Sequence, residues 1–387
     1  MVMAWKWTLA ISLLWLFYAY LGYPLLLSLL AKFSRRRRAD GDGGEPFVTV
    51  LTAAFNEAGV IGETVANKLE LDYPAEKFEI VVVSDGSSDG TDEIVAEFER
   101  SHPGRVRLLR QEPRAGKTSA LNLALPQARG EIIVFADANS LYEKAALRAL
   151  VANFADARVG YVTGKMVYTN SDGSLTGDGC STYMRYENQL RAWESRIGSV
   201  VGVDGGIDAV RKALYRPMRA DQLPDFVLPL RVVEQGYRVA YEPSAVLREP
   251  ALSSAGQEYR MRVRVTLRAL WALLDLRLLF NPFRFPLFSW QLASHKLLRY
   301  TAFLPQLAAF ISNVLLWGEG SVYRILFLAQ LCFYVLAAAG YLLERAGSSF
   351  PLATAPYYLS LLNLSCAHAW SKFLSGKKQV LWQPRVG

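Results

Sequence analysis

Three short clusters of oxygen-bearing side chains each follow or open an apolar stretch, and each could do chemistry. Ser84-Asp85-Gly86-Ser87-Ser88-Asp89-Gly90-Thr91 combines carboxylates, small hydroxyls and glycines. Such a turn leaves backbone amides and a carboxylate facing a crevice, although Asp89 or Thr91 could equally cap a following helix. Phe135-Ala136-Asp137-Ala138-Asn139 places two oxygen ligands at i and i+2. A hard divalent cation accepts that pair while keeping several waters and bridging to substrate phosphates. The competing role is Asn139 or Ser140 as a helix N-cap. Asp225, within Leu223-Pro224-Asp225-Phe226, opens an amphipathic stretch. It is a candidate general base if it shares a crevice with Asp85 and Asp137, and a helix cap otherwise.

Basic residues supply the opposite charge. Arg114-Ala115-Gly116-Lys117-Thr118 imitates a phosphate-binding loop, but Gln111 stands where that loop needs its first glycine. Lys117 and Arg114 remain candidate phosphate contacts. Arg260, Arg264 and Arg268 fall at i, i+4 and i+8 on one helix face, while Val263, Leu267, Leu270, Trp271 and Leu274 form another. From Glu258 to Arg299 there are eight Lys/Arg and two acids. This pattern predicts an amphipathic helix on a membrane surface, its arginines either meeting lipid or clamping a pyrophosphate. His102, His295 and His368 are scattered, and Cys180, Cys332 and Cys366 have neither metal-ligand spacing nor an even count. No His-based metal site and no disulfide framework is expected.

The elements that must position these groups are legible around them. Phe47–Ala53, Glu79–Ser84, Val106–Arg110 and Glu131–Phe135 read as strands; Val60–Leu71, Thr91–Arg100 and Lys117–Ala128 read as helices. That alternation predicts βαβ units and a parallel sheet. Ligands bind such sheets at the carboxyl ends of the strands, where Asn56 and Glu57, Asp85 to Asp89, and Asp137 to Asn139 stand.

The chain has 387 residues, 43 basic against 35 acidic, a net charge of +8, and 52% hydrophobic residues against 20% charged. Extensive disorder and a disulfide-stapled secreted fold are both excluded. The apolar excess lies at the ends. Thr8–Ala31 is a 24-residue run without formal charge, long enough to cross a bilayer, with Trp5, Trp7, Tyr20 and Tyr23 as the amphipathic rings expected near the interfaces. Arg35–Arg38 follow it, which places the remainder on the cytoplasmic side and argues for lipid contact, with no nucleic-acid partner expected. Asp40–Gly44 reads as a linker. Tyr300–Trp317 and Ile325–Leu343 are further apolar segments, and Pro351–Trp370, carrying Asn363 and His368, is a weaker third. Three crossings there would leave Lys372, Lys377, Lys378 and Arg385 outside, against the charge rule. The expected divisions are 1–45 (transmembrane helix and basic linker), 46–256 (cytoplasmic catalytic domain), 257–299 (interfacial helices) and 300–387 (transmembrane helices and basic tail).

Taken together, these residues resemble the membrane-bound family 2 glycosyltransferases, the group of the cellulose, chitin, hyaluronan and poly-N-acetylglucosamine synthases. The likeness runs from about Val48 to Arg268. It is carried by Ala54-Phe55-Asn56-Glu57, Ser84-Asp85-Gly86-Ser87, Gly116-Lys117 with Asn122, and Asp137-Ala138-Asn139. It continues through Gly205-Gly206 with Ala209-Val210-Arg211, Asp225 upstream of Gly236-Tyr237, and Gln257 with Arg260.

The resemblance implies an α/β GT-A (Rossmann-like) fold flanked by membrane helices, binding a nucleotide-sugar, usually a UDP-sugar, with Mg²⁺ or Mn²⁺. Asn56, Glu57, Asp85 and Lys117 would line the nucleotide-sugar pocket, with Gly205 and Gly206 on the acceptor side. Asp137, helped by Asn139, would hold the metal; Asp225 would take the acceptor proton; Arg260 would contact the diphosphate. The chain departs from the family in three places: Asn139 replaces a second Asp, Pro224 stands before Asp225 where synthases carry an acid, and Met261 replaces the signature Trp. The expected reaction is inverting transfer to a growing polysaccharide at the cytoplasmic membrane face, with a possible export or channel partner. The alternatives are transfer of one sugar to a lipid-linked acceptor and a non-catalytic nucleotide-sugar sensor.

Overall fold

The computed structural model describes residues 1–34, 44–169, 174–250 and 254–379. Arg35–Arg38, most of the Asp40–Gly44 linker and Arg385 lie outside the described residues.

The chain opens with α1 (Val2–Phe33), 32 residues interrupted by a π-helical turn at Tyr18–Gly22. An alternating passage follows: β1 (Val48–Ala54), α2 (Ile61–Leu69), β2 (Phe78–Ser84), α3 (Thr91–Ser101), β3 (Val106–Arg110), α4 (Lys117–Ala124) and β4 (Ile132–Asp137). These agree with the sequence expectations to within a few residues. The exception is α4, expected to reach Ala128. It gives way to a 3₁₀ turn at Leu125–Gln127, because Pro126 has no N–H for a continuing α-helix.

Next come β5 (Leu141–Tyr142), α5 (Ala146–Ala152), β6 (Val159–Thr169), α6 (Leu175–Ile197), β7 (Ile207–Arg211), α7 (Pro224–Glu234) and β8 (Arg238–Pro250). The eight strands form one sheet in the order β3-β2-β1-β4-β7-β6-β8-β5, mixed rather than wholly parallel as expected, because the β4–β7, β6–β7 and β5–β8 pairs are antiparallel. Strands β1 to β4 are mutually parallel, and β7 joins β4 antiparallel. All seven β1 residues are buried, as a central strand covered on both faces requires. Its alternating side chains feed two cores. Val48 and Val50 meet Ile61 and Val65 of α2, whereas Leu51 and Ala53 meet Ala120 and Leu121 of α4 and Val227 of α7.

The remainder is helical: α8 (Ala255–Asp275), α9 (Pro286–Leu292) with its π-turn extension Ala293–Leu297, α10 (Phe303–Leu315), α11 (Ser321–Arg345) and α12 (Pro351–Leu374). Among the described residues, α1 and α11 are the helices long and apolar enough to cross a membrane; α10 has 13 residues. Helix α1 packs through Leu9 on Ala309 of α10 and on Leu316, the residue just past its end. Its start pairs Lys6 with Glu319 at 2.9 Å, and past its other end Ser34 Oγ donates to the Arg196 carbonyl at 2.7 Å.

Helix α12 lies along α8. Tyr358 donates to Glu258 at 2.6 Å, Val263 and Leu267 pack on Ala369, and Trp271 Nε1 donates to the Lys377 carbonyl at 3.0 Å. Asn363 Nδ2 donates to Tyr20 Oη at 3.1 Å, and His368 Nδ1 pairs with Tyr259 Oη at 3.1 Å. The polar residues that weakened this segment as a membrane span thus have protein partners. Lys378 closes the path on Asp221 at 2.7 Å, returning the chain to the α/β body. Two residues of the α8 stripe expected against lipid, Val263 and Leu267, are covered by α12, while Leu274 is exposed.

Candidate active site

Adjacent parallel strands end at one level: Ala53 of β1 pairs with Asp137 of β4, and Ala54 pairs with Ser84 of β2. The polar turns after β1, β2 and β4 therefore converge on one edge. Asn56 takes a left-handed backbone (φ 53°) that lets its amide reach Ser87 Oγ at 3.1 Å, while its Oδ1 accepts from Ser88 N at 2.9 Å. Glu57 N donates to Thr91 Oγ1 at 2.9 Å, and Ala58 N to Asp89 Oδ2 at 3.0 Å. Asp89 also accepts from Thr91 N at 3.1 Å. Asp89 thus serves the start of α3 from just before its Gly90 N-cap, and none of Ser84 to Thr91 lines the cavity described below.

Asp85 is fully buried. Its carboxylate accepts from Gln111 Nε2 at 2.5 Å, Ala115 N at 2.8 Å and Gly116 N at 2.9 Å. It fixes the loop from which Lys117 starts α4, and it does not itself line the large cavity described next.

That cavity, about 300 Å³, is lined by Glu57, Lys117, Asp137 and Asn139 together with Asp225, Arg264 and Arg268. The Asp137 and Asp225 carboxylates thus share one cleft. Lys117 Nζ bonds Asp137 Oδ1 at 2.5 Å. Burial opposes the charge on Lys117, but Asp137, Asp225 and Asp208 outweigh it and hold the ammonium above its ordinary pKa. Burial moves Asp225 the other way. It raises the carboxyl above the usual range, Asp137 adds to this, and Lys117 and Arg268 partly offset it. Asp225 Oδ1 is buried with no hydrogen-bond partner, as a proton acceptor waiting for a donor would be.

Gly205 and Gly206 pass between the two carboxylates. A Cβ on Gly205 would collide with Asp225 Oδ2, and one on Gly206 would lie 3.4 Å from Asp137 Oδ2. Gly205 also has φ +85°, a conformation that favours glycine.

Of the arginines on α8, Arg262, Arg264 and Arg268 line the cavity, Arg262 being tied to Glu258 at 2.7 Å, whereas Arg260 is exposed and does not line it. Arg268 is held by the carbonyls of Ala220, Asp221 and Gln222, and burial brings it down to about 10. Met261, replacing the family's Trp, is also at the cavity wall.

Sequence reasoning missed part of the site. Asp208 sits beneath Asp225, accepts from Gly205 N at 2.8 Å, and is pushed up to about 7 chiefly by burial. The Gly205-Gly206 pair just ahead of it was the available signal. A second missed group, Glu187, Arg191, Asp204, His295, Lys296 and Arg299, lines the far part of the cavity. No local motif marks it.

The donor set suits a divalent cation that shares its shell with phosphate. Among the described residues no three His, Cys, Asp or Glu converge as a dedicated cage. Asp137 and Asn139 nonetheless face the same cavity from one strand end, the one-carboxylate arrangement that Mg²⁺ and Mn²⁺ complete with water and substrate phosphate.

Residues 49–213 match the family described as Glycosyl transferase family 2. Over 220 residues the chain is 30% identical to the beta-monoglucosyldiacylglycerol synthase of Trichormus variabilis, covering 55% of this chain and 47% of that protein. Over 260 residues it is 26% identical to the poly-beta-1,6-N-acetyl-D-glucosamine synthase of Staphylococcus epidermidis, covering 64% and 60%. The chain thus spans about half to three-fifths of the length of the curated relatives it matches. Among solved structures it is similar to the mannosyltransferase PcManGT from Pyrobaculum calidifontis, in complex with GDP-Man and Mn²⁺. That likeness has a TM-score of 0.70 and 26% identity, covering 96% of this chain and 99% of the other. With its motifs in family order and its strand ends converging on one acidic cleft, the chain carries a family 2 glycosyltransferase domain of GT-A fold.

Proposed function

We propose that this chain transfers one sugar from a nucleoside-diphosphate sugar to a lipid-borne acceptor at a membrane surface, with inversion. The observation that carries this reading is the single cavity shared by Asp137 and Asp225, lined as well by Tyr20 of α1 and Asn363 of α12. Donor chemistry and an apolar helix long enough to cross a bilayer meet in one space.

In the proposed reaction the acceptor hydroxyl attacks the anomeric carbon of the donor. Its proton passes to Asp225, the new C–O bond forms, and the bond to the diphosphate breaks with the nucleoside diphosphate leaving. One displacement converts an α-linked donor into a β-linked product. The raised pKa of Asp225 makes it a stronger base than an ordinary carboxylate, and general-base action of this kind is worth about 10²–10⁴ in rate. Lys117 offers positive charge to the departing diphosphate. We assign the arginine contact on that diphosphate to Arg264 rather than Arg260, because Arg264 lines the cavity. A cation held by Asp137 and Asn139 would, when bound, neutralise charge on the leaving group. Asn56, Glu57 and Asp85 shape the nucleotide side, and Gly205 and Gly206 let acceptor and donor approach.

For the membrane we propose that α1 and α11 cross it, with the whole stretch from Leu298 to Glu319, not the 13 residues of α10 alone, carrying the chain back along α1 between Trp15 and Lys6, that the α/β body sits on the Arg35–Arg38 side, and that α12 stays on that side against α8. Lys377 and Lys378 then obey the charge rule. The second reading, extension of a polysaccharide, is favoured by the likeness to the poly-N-acetylglucosamine synthase. Product size separates the two. Full-length protein in lipid, given radiolabelled nucleotide-sugars and Mn²⁺, should yield a single-sugar, organic-soluble product; a high-mass, water-soluble product would contradict the single transfer. Absence of transfer from every donor would support the sensor alternative.

A further inference from the structure

The far part of the cavity contains a buried charge cluster that the proposed reaction does not use. Arg191 pairs with Asp204 at 2.7 Å, and Arg299 pairs with Glu187 at 2.7 Å. His295 is fully buried between two carboxylates, Nδ1 2.6 Å from Glu194 and Nε2 3.0 Å from Glu187. Arg191 and Arg299 are thus each taken up by a carboxylate of the cluster.

Lys296 is the cation of this group without a close carboxylate. Among the described residues its ammonium donates no hydrogen bond, and its nearest carboxylate, Glu187, is 4.0 Å away. It faces the cavity and lies against Gly202, where a Cβ would come within 2.5 Å of Nζ. Three residues on, Gly205 lies against Asp225. Burial, aided by Arg299 and Arg191 and partly offset by Glu187, brings the ammonium down to about 8. An anion arriving there would relieve that strain. The neighbouring wall is Tyr20, Tyr300, Leu362 and Cys366, contributed mainly by α1 and α12.

We propose that Lys296, with Arg299 and Arg191 behind it, seats a phosphate group carried by the lipid acceptor, holding the acceptor's separate attacking hydroxyl beside Asp225 and leading the hydrocarbon out along α1. This rests on the lipid-acceptor reading above and names the acceptor's chemical class: phosphate-bearing rather than neutral. Lys296 is a binding residue here, and the donor diphosphate stays with Lys117 and Arg264, beside the cation that Asp137 would hold.

Binding tests the inference without turnover. Full-length protein in detergent is heated with decyl phosphate, decanol or inorganic phosphate, and the shift in unfolding temperature is read. Decyl phosphate should stabilise the wild type most, and Lys296→Met should weaken its apparent affinity about tenfold or more. Lys296→Arg should retain binding, and both variants should keep wild-type affinity for nucleoside diphosphate with Mn²⁺. Lys296→Gln serves if the Met variant does not fold. Equal stabilisation by decanol would overturn the phosphate seat, and equal stabilisation by inorganic phosphate would overturn its attachment to a lipid. Undiminished binding of decyl phosphate by the variants would remove Lys296, while lost nucleotide affinity would move it to the donor. Failure of sugar transfer alone, with the binding pattern intact, would count against the transferase reading and leave the phosphate seat standing.

Discussion

The account depends on a buried carboxylate whose environment pulls in two directions. Burial and Asp137 push Asp225 above the ordinary carboxylate range; Lys117 and Arg268 hold it down. A general base must be deprotonated, so activity should fall as pH drops through the raised Asp225 pKa. The acid limb of kcat/KM should therefore lie above about pH 4, the range of an unperturbed Asp. Removing a restraining cation should raise the limb further: Lys117→Met should move it to higher pH, besides lowering activity. A limb that stays put or moves down would contradict the placement of Lys117 beside the base. Asp137→Ala should instead weaken Mn²⁺-dependent donor binding, read by calorimetry with and without the metal. Equal donor affinity in both conditions for wild type and variant would refute a metal role for Asp137.

At the scale of the elements, two consecutive glycines matter more than their lack of side chains suggests. Gly205 runs at φ +85° against Asp225. Gly205→Ala should cost about 1–3 kcal/mol of stability for the strained backbone, and the displaced Asp225 should lose most of its activity. Thermal unfolding and turnover measured together check this; an unchanged melting temperature with normal turnover would mean the close approach is unimportant. These elements also explain what was legible in the sequence. Strands β1, β2 and β4 announced themselves because central parallel strands must be apolar on both faces, and their polar ends marked the crevice. Helix α12 did not, because Asn363 and His368 look wrong for an apolar helix until Tyr20 and Tyr259 are placed beside them. Arg260, Arg264 and Arg268 share a face by periodicity, yet only packing decides which of them meets the cavity. The His295 cluster was invisible for the same reason: its partners Glu194 and Glu187 lie 101 and 108 residues away in the chain.

For the whole molecule, the proposed membrane arrangement follows from where the ends of the helices lie. The start of α1 pairs with Glu319 in the α10–α11 turn, whereas Lys378 pairs with Asp221 of the α/β body. Single cysteines on a Cys332→Ser background in sealed, oriented vesicles should separate these two levels. Gly318→Cys should react with an impermeant thiol reagent from one side only; Lys377→Cys and Arg100→Cys should react together from the other. Labelling of Lys377→Cys from the same side as Gly318→Cys would mean that α12 crosses the membrane after all.

The most direct measurement is the Asp225→Asn variant in two assays on one preparation: nucleoside-diphosphate binding with Mn²⁺, and single-turnover transfer of radiolabelled sugar into lipid. The account predicts nucleotide affinity within about twofold of wild type and transfer reduced by about 10²–10⁴. Near-normal transfer by that variant, or loss of nucleotide binding equal to its loss of transfer, would contradict it.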